Sequence, residues 1–503
     1  MAIYNFYYDE SEHSRKINYE TVTASNYYDN FVTVIVGWTQ ENEEHILKKY
    51  SVFEDKYRER KNSSGELKST TLKQNGFKYG FASLNKQNME LVDDFLNVFD
   101  EKVHFYFAIA SKIEYIVLQL FYNYKNNLMI DADAMKYSIT KALVSYRPEE
   151  VIKSIYESPE LFVDMLKKFF KDRIEYNQKN YELKQEESTA FEEILSYLDN
   201  INVIPELHWD YHMPFNGFRK YLQEEQIEDY SLIIDKEGEL SEESQTLKAT
   251  RQSGLNHVRE DNSLSAYGLR MADMMAGIIS KLMKSLCDSL RYQSFEDGIK
   301  KKLLDTKWFQ VNEPQLNLYK KLYRIICEWD HAWYKSYAGI YSDDLIVFIA
   351  LLNYMNHFES IEQISDENIL MQGEYFNGFA CKQLNDYFSR RKHKLPVEPI
   401  PADAKDYFLN QRGAKVYFDA RKQPLFHIND GSQAVEILSV GIDRTGYPLI
   451  TILQNNQPVC YRLPPELSDW ACTVIGVADM GEKLFPSEVI FSKVNGKYYA
   501  DIL

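Results

Sequence analysis

Two groups of carboxylates lie far apart in this chain, each in a setting that makes a charge costly. Near the start, Phe6-Tyr7-Tyr8 runs directly into Asp9-Glu10-Ser11. Far downstream, Asp261-Asn262-Ser263 is followed by Leu269-Arg270-Met271-Ala272-Asp273-Met274-Met275-Ala276-Gly277, an apolar stretch interrupted by an acid. An ionised carboxylate among apolar side chains is unfavourable unless it is paired or binds a metal. Acids gathered by folding repel one another and invite a divalent cation. Two such cations about 3.5–4 Å apart activate water and stabilise the leaving oxygen when a phosphodiester is hydrolysed. The candidate metal ligands are Asp9, Glu10, Asp235, Asp261 and Asp273, and the ions that suit them are Mg²⁺ or Mn²⁺. The candidate catalytic set is Asp9, Asp235, Asp273 and Glu114.

These residues need elements to hold them. Residues 3–9 and the β-branched 30–38 read as strands, with a polar loop between them, and 102–110 reads as a third strand. Ser111 is placed to cap a helix over 112–124, with Glu114 in its first turn. Residues 41–60 read as a charged helix. Ser231-Leu-Ile-Ile-Asp235 is a short buried strand ending on an acid, and 255–260 reads as another. From Ala266 to Leu290, apolar residues recur at helical spacing, and Asp273 flanks that face.

An N-terminal strand ending Asp-Glu-Ser, a late Asp-Asn-Ser and a Leu-x-x-Ala-Asp-x-x-Ala-Gly helix resemble a bacterial domain-of-unknown-function family of predicted RNase H-like proteins. The resemblance spans roughly residues 1–290. Arg270 stands where that family commonly has Gln, and Glu12 follows Ser11 where it has Gly. The resemblance implies an α/β fold with an RNase H-like mixed sheet. In that fold the first strand, first helix, fourth strand and a late helix each supply one acidic metal ligand. It also implies a metal-dependent nuclease, with some relatives in anti-phage or mobile-element settings.

Around the core at 1–290, residues 126–200 read as a helical insertion and 291–394 as a further helical segment. Leu395-Pro-Val-Glu-Pro-Ile-Pro401 reads as a stiff linker. Beyond it, short strands and turn signals such as Asp430-Gly431 define a C-terminal β-rich domain at 406–503.

At 503 residues and a net charge of −17, the chain does not read as a generic nucleic-acid coat. Binding to a DNA or RNA substrate would instead use bound cations and a local basic patch. Arg390, Arg391, Lys392 and Lys394 form the densest one. A partner protein or a second copy is a further expected contact. The five cysteines include no C-x-x-C pair, as expected of a reducing, cytoplasmic setting. No signal peptide is visible at the start, and the apolar run Leu345–Leu352 is far too short to cross a membrane.

Two other constellations carry competing chemistry. His208-Trp-Asp-Tyr-His212 has i, i+4 spacing, but Pro205 and Pro214 bracket it and oppose a helix. Arg251…His257 resembles the motif of metal-independent HEPN ribonucleases, although Gly254 lies between them. A third reading keeps the fold but makes it a non-catalytic module that recognises nucleic acid or protein.

Overall fold

The computed structural model describes residues 2–11, 18–24, 27–126, 131–198, 207, 212–236, 244–329, 332–366, 368–393, 407–410, 415–417, 423–443, 446–455, 457–479, 482–494 and 496–503. His208–Tyr211, the linker 395–401 and Lys394 lie outside them. The chain divides into two compact units: Met1–Asn123 with Ala134–Tyr387, and Tyr124–Asp133 with Phe388–Leu503.

The strands of the first unit are β1 (Tyr4–Ser11), β2 (Asn30–Thr39), β3 (Lys78–Phe81), β4 (His104–Ser111), β5 (Tyr230–Asp235), β6 (Val258–Asp261) and β7 (Ser336–Ala338). All but β3 form a six-stranded sheet in the order β6-β5-β1-β2-β4-β7. β1, β2 and β4 are an antiparallel meander. On the other side of β1, β5 runs parallel to it and β6 parallel to β5, while β7 adds a parallel edge beside β4. The sheet is therefore mixed.

Helices cover both faces. Tyr7, Val34, Val36 and Phe107 point into one core with Leu269, Met275, Ile279 and Leu282 of the long helix Tyr267–Leu290. Phe6, Tyr8, Ile35 and Ile234 point into the other, against Phe215 and Phe218 of the helix His212–Glu224. A central strand enclosed on both sides reads as nearly continuously apolar, which is the pattern of β2 apart from the buried Asn30 and Thr33.

The elements expected from sequence form, with local differences. The stretch before β2 contains a short helix, Tyr19–Thr23, where a loop was expected. Asn18 and Thr21 close a reciprocal capping box there, over too few residues to show a period. The insertion folds as the helices Ala132–Tyr146, Glu149–Glu157, Phe162–Asn177 and Tyr181–Leu198. The segment after the long helix shares the main core: Trp308, Leu316, Tyr319, Phe348 and Leu351 pack in the same cluster as Val34 and Phe107.

The second unit has its own antiparallel sheet. Its strands are β8 (Tyr407–Asn410), β9 (Lys415–Tyr417), β10 (Gly431–Asp443), β11 (Pro448–Gln454), β12 (Gln457–Arg462), β13 (Ser487–Val494) and β14 (Lys497–Ile502). The order is β12-β11-β10-β13-β14, with β8 against β10 and β9 against β8. A separate core of Ile437, Val440, Ile450, Val474, Val489 and Phe491 includes the helix Ser468–Asp479.

Gly37 in β2 leaves room for the Phe6 ring: a Cβ there would lie 2.1 Å from Phe6 Cδ1. Gly37→Ala is expected to lower stability by about 1–3 kcal/mol through overpacking, read as a shift of the urea midpoint with an unchanged slope.

Candidate functional site

Sheet register assembles the site. Tyr8 of β1 is level with Ile234 of β5, and Asp235 with Asp261 of β6. One step beyond Tyr8 and Ile234 come Asp9 and Asp235, so two acids end neighbouring parallel strands at one edge. Strand alternation turns Asp9, like Tyr7, toward the long helix, and sends Glu10, like Tyr8, to the opposite face.

Two glycines seat the helix. A Cβ on Gly268 would lie 2.2 Å from the Tyr7 ring, so glycine lets the helix start directly over β1. One turn past Asp273, a Cβ on Gly277 would lie 2.2 Å from Ser69 Cβ, so glycine also admits a loop against the helix. That loop begins at Asn62, whose side-chain oxygen accepts the backbone N–H groups of Ser64 and Glu66, each at 3.0 Å. Gly65 turns the chain at φ +83°, and buried Leu67 anchors it. Ser69 then donates its backbone N–H to Asp273 Oδ2 at 2.8 Å and its hydroxyl to Asp273 Oδ1 at 2.9 Å.

The electrostatics are those of crowded acids. Asp9 retains some exposure, but protein atoms enclose its carboxyl. Burial pushes its pKa well above the usual carboxylate range, and the charges of Asp273 and Glu10 push it further. The Glu10 N–H, 2.7 Å from Asp9 Oδ1, and the Lys68 ammonium act in the opposite direction. Asp235 is also raised by burial. Lys68, the Ser263 N–H at 3.3 Å and the Lys236 N–H counter this, and Glu66 adds to it. Lys68 is thus the cation common to Asp9 and Asp235, and its Nζ lies 3.7 Å from Glu66 Oε1.

A buried ion pair fixes the loop that follows β6. Arg270 Nε donates to Glu54 Oε1 at 2.7 Å and Nη2 to Glu54 Oε2 at 3.1 Å, with both side chains about 6% exposed. Arg270 Nη1 donates to the carbonyls of Ser263 and Leu264. Arg270 therefore clamps the loop whose Ser263 amide holds Asp235.

The other candidates are placed elsewhere. Glu114 does not join the acids. Its carboxylate accepts the backbone N–H groups of Ile340 (2.7 Å) and Tyr341 (3.1 Å), just beyond β7. Glu10 interacts with the Tyr8 hydroxyl on the far face of β1. Asp261 accepts from the Asn262 N–H, Ser265 and Arg259, and these bonds hold its pKa below the usual range. Arg251 lies in the last turn of a helix that ends at Gln252, and the His257 ring packs edge-on against Tyr230, so the two share no helical face. Arg390, Arg391 and Lys392 lie at the end of the helix Gln372–His393, but their side chains lie outside the described residues. Sequence reasoning missed Glu66, Lys68 and Ser69. A Glu-x-Lys-Ser run after a turn carries no signal of its own, and its partner is 204 residues away.

Among the described residues, no group of three or more His, Cys, Asp or Glu side chains gathers as a metal cage. Asp9 and Asp273 nevertheless fit one Mg²⁺ or Mn²⁺, because Mg²⁺ takes one or two carboxylates and completes its shell with water and phosphate oxygens. No protein-family model, curated protein or solved structure matches the chain. Among the described residues, no helix is long and apolar enough to cross a membrane.

Two outcomes are expected. The native Asp9 carboxyl holds its proton more tightly than an unfolded one at 3.8, so the native state binds more protons. Stability therefore declines as pH rises past 3.8 toward the raised native value. Asp9→Asn should remove that decline and raise stability at pH 7, on the order of 1–3 kcal/mol, as read by urea unfolding across pH 4–8. Separately, Glu54→Ala should cost about 3–5 kcal/mol, because it leaves the buried Arg270 without a carboxylate, and Arg270→Ala should cost less, because Lys61 Nζ still lies 3.0 Å from Glu54 Oε2. The double variant should cost less than the sum of the two.

Proposed function

We propose that this chain is a metal-dependent nuclease built on an RNase H-like core. The observation that carries the reading is the convergence of Asp9 from the first strand with Asp273 from a late helix. Asp235, at the end of the fourth long strand of the sheet, lies on the same edge. The meander followed by two strands parallel to β1 supports it, since that order makes the first and fourth strands neighbours. Only the first-helix acid departs, with Glu114 engaged by Ile340 and Tyr341.

Asp9 and Asp273 would hold the Mg²⁺ or Mn²⁺. When bound, the ion supplies a Lewis acid and an activated water. Ser69 keeps the Asp273 carboxylate oriented by donating to both of its oxygens. Lys68 offers an ammonium to a phosphate at the point where its own partners are carboxylates. Asp235, whose pKa burial raises, would take or return a proton at its carboxyl oxygen. The substrate is a nucleic acid, DNA or RNA. The basic residues Arg390, Arg391, Lys392 and Lys394, a partner protein or a second copy would add recognition, in a cytoplasmic, anti-phage or mobile-element role.

One observation favours a second reading, a non-catalytic nucleic-acid- or protein-binding module. Lys68 already supplies a cation to the acids, as it would in a site that no longer takes a metal.

Cleavage of single- and double-stranded DNA and RNA separates the readings. The nuclease reading expects hydrolysis with Mg²⁺ or Mn²⁺, loss of it in EDTA, and at least a hundredfold loss in folded Asp9→Ala and Asp273→Ala proteins. Full activity in either variant overturns the metal site, and absence of cleavage of all substrates favours the module.

A further inference from the structure

The first unit contains a second polar centre, away from the acids. The long helix carries Asp273 near its start and Cys287 and Asp288 near its end, roughly 21 Å further along its axis at 1.5 Å per residue. There a cavity of about 210 Å³ opens between that helix end, the entry to β2, the end of the helix Ala132–Tyr146 and the start of the helix Asp343–Asn356.

Its floor is acidic and enclosed. Asp29 is 8% exposed, and its Oδ1 accepts the Tyr27 hydroxyl at 2.7 Å and the Ile113 N–H at 3.0 Å. Its Oδ2 is buried with no hydrogen-bond partner among the described residues. Beside it, Asp344 accepts from Asn30 and from the Tyr341 hydroxyl. Burial, with help from Asp29 and Asp343, pushes the Asp344 carboxyl up to about 6. An orphan carboxylate oxygen next to a second buried carboxyl calls for N–H donors from a ligand.

Its mouth is cationic. Arg147 and Arg291 both line the cavity. Burial, and after it the Arg291 charge, lowers the Arg147 pKa below its usual value, against the opposing pull of Tyr27, Asp29 and Asp288. Arg291 lies 3.9 Å from Asp288, too far for a hydrogen bond. Arg147 packs over the Tyr27 ring at 4.6 Å and stands at φ +45°, in the left-handed region that a long side chain seldom adopts. Arg147 Nη2 also donates to the Val22 carbonyl. Two guanidiniums lining one cavity, one of them on a strained backbone, suit an anion held by the donors they have left. Between floor and mouth the wall includes the tyrosine side chains Tyr28, Tyr292 and Tyr341, which suit a planar heteroaromatic ring. The volume is below the roughly 300–1,000 Å³ of sites for drug-sized ligands, so it takes a ring and leaves the rest of the ligand at the mouth.

We propose that this cavity binds a nucleoside phosphate, with an amino-bearing base directed at Asp29 and Asp344 and its phosphate held between Arg147 and Arg291. The site is independent of the nuclease reading.

The test titrates the full chain with AMP, GMP, CMP, the corresponding nucleosides and inorganic phosphate, following thermal shift and calorimetry. At least one nucleotide is expected to raise Tm and to bind at least tenfold more tightly than its nucleoside or than phosphate. Arg147→Gly removes a guanidinium at a φ that glycine adopts freely, so the variant should fold and lose at least tenfold in nucleotide affinity while keeping its nucleoside affinity. Asp344→Asn should weaken nucleotide and nucleoside alike. Asp9→Asn should leave nucleotide binding unchanged, which separates this site from the acids. No shift with any nucleotide overturns the proposal. So does nucleotide affinity that is unchanged in Arg147→Gly and Asp344→Asn, or phosphate binding as tightly as the nucleotides.

Discussion

The seating of one helix on one strand is the constraint from which the rest of the site follows. Tyr267–Leu290 starts against Tyr7 because Gly268 has no side chain to hold it away. That closeness brings Asp273 toward Asp9, and the two carboxylates then oppose each other in an enclosed space. Packing forces on them a proximity that electrostatics resists. The compensation is local and incomplete: the Glu10 N–H and the Lys68 ammonium for Asp9, and both donors of Ser69 for Asp273. Partly compensated acids are a common state of functional sites, since a residual unfavourable charge is what a cation or phosphate-bound metal relieves.

The supports of this arrangement come from three distant segments. Asn62 and Gly65 shape the loop that delivers Glu66, Lys68 and Ser69, and Gly277 leaves the space that Ser69 occupies. Glu54, from the charged helix after β2, neutralises Arg270 inside the core. Arg270 in turn holds the carbonyls of Ser263 and Leu264, so the Ser263 amide stays beside Asp235. A buried arginine with a bidentate carboxylate and two carbonyl acceptors can be accommodated only as a complete set. The same helix ends at the Asp29–Asp344 cavity, so one rigid element spans both polar centres of the unit.

Much of the scaffold was legible in the chain. Aromatic and β-branched runs marked β1, β2, β4 and β5, and apolar spacing marked the long helix. Asp9, Asp235 and Asp273 stood out as acids ending or flanking apolar elements. The texture beyond residue 406 marked the antiparallel sheet of the second unit. Short elements were less visible: Tyr19–Thr23 is held by a capping box, and β7 is a three-residue edge strand, each too brief for a period to emerge.

What the sequence by itself determined is what depends on near neighbours along the chain: strand alternation, helical period, capping and the cost of an acid in an apolar run. Only the tertiary structure decided which acids meet. Glu114 satisfies its helix position as expected, yet its carboxylate is taken by the Ile340 and Tyr341 amides, 226 and 227 residues away. Ser69 looks like an ordinary loop residue until Gly277 admits it to the helix surface, and Lys68 beside it until its charge is seen to act on both Asp9 and Asp235. Arg270 reads as a departure from a motif until Glu54 is found opposite it, 216 residues away. These pairings depend on strand register and on helix seating. Both are set by the summed packing of a whole core, and no window of the sequence contains that sum.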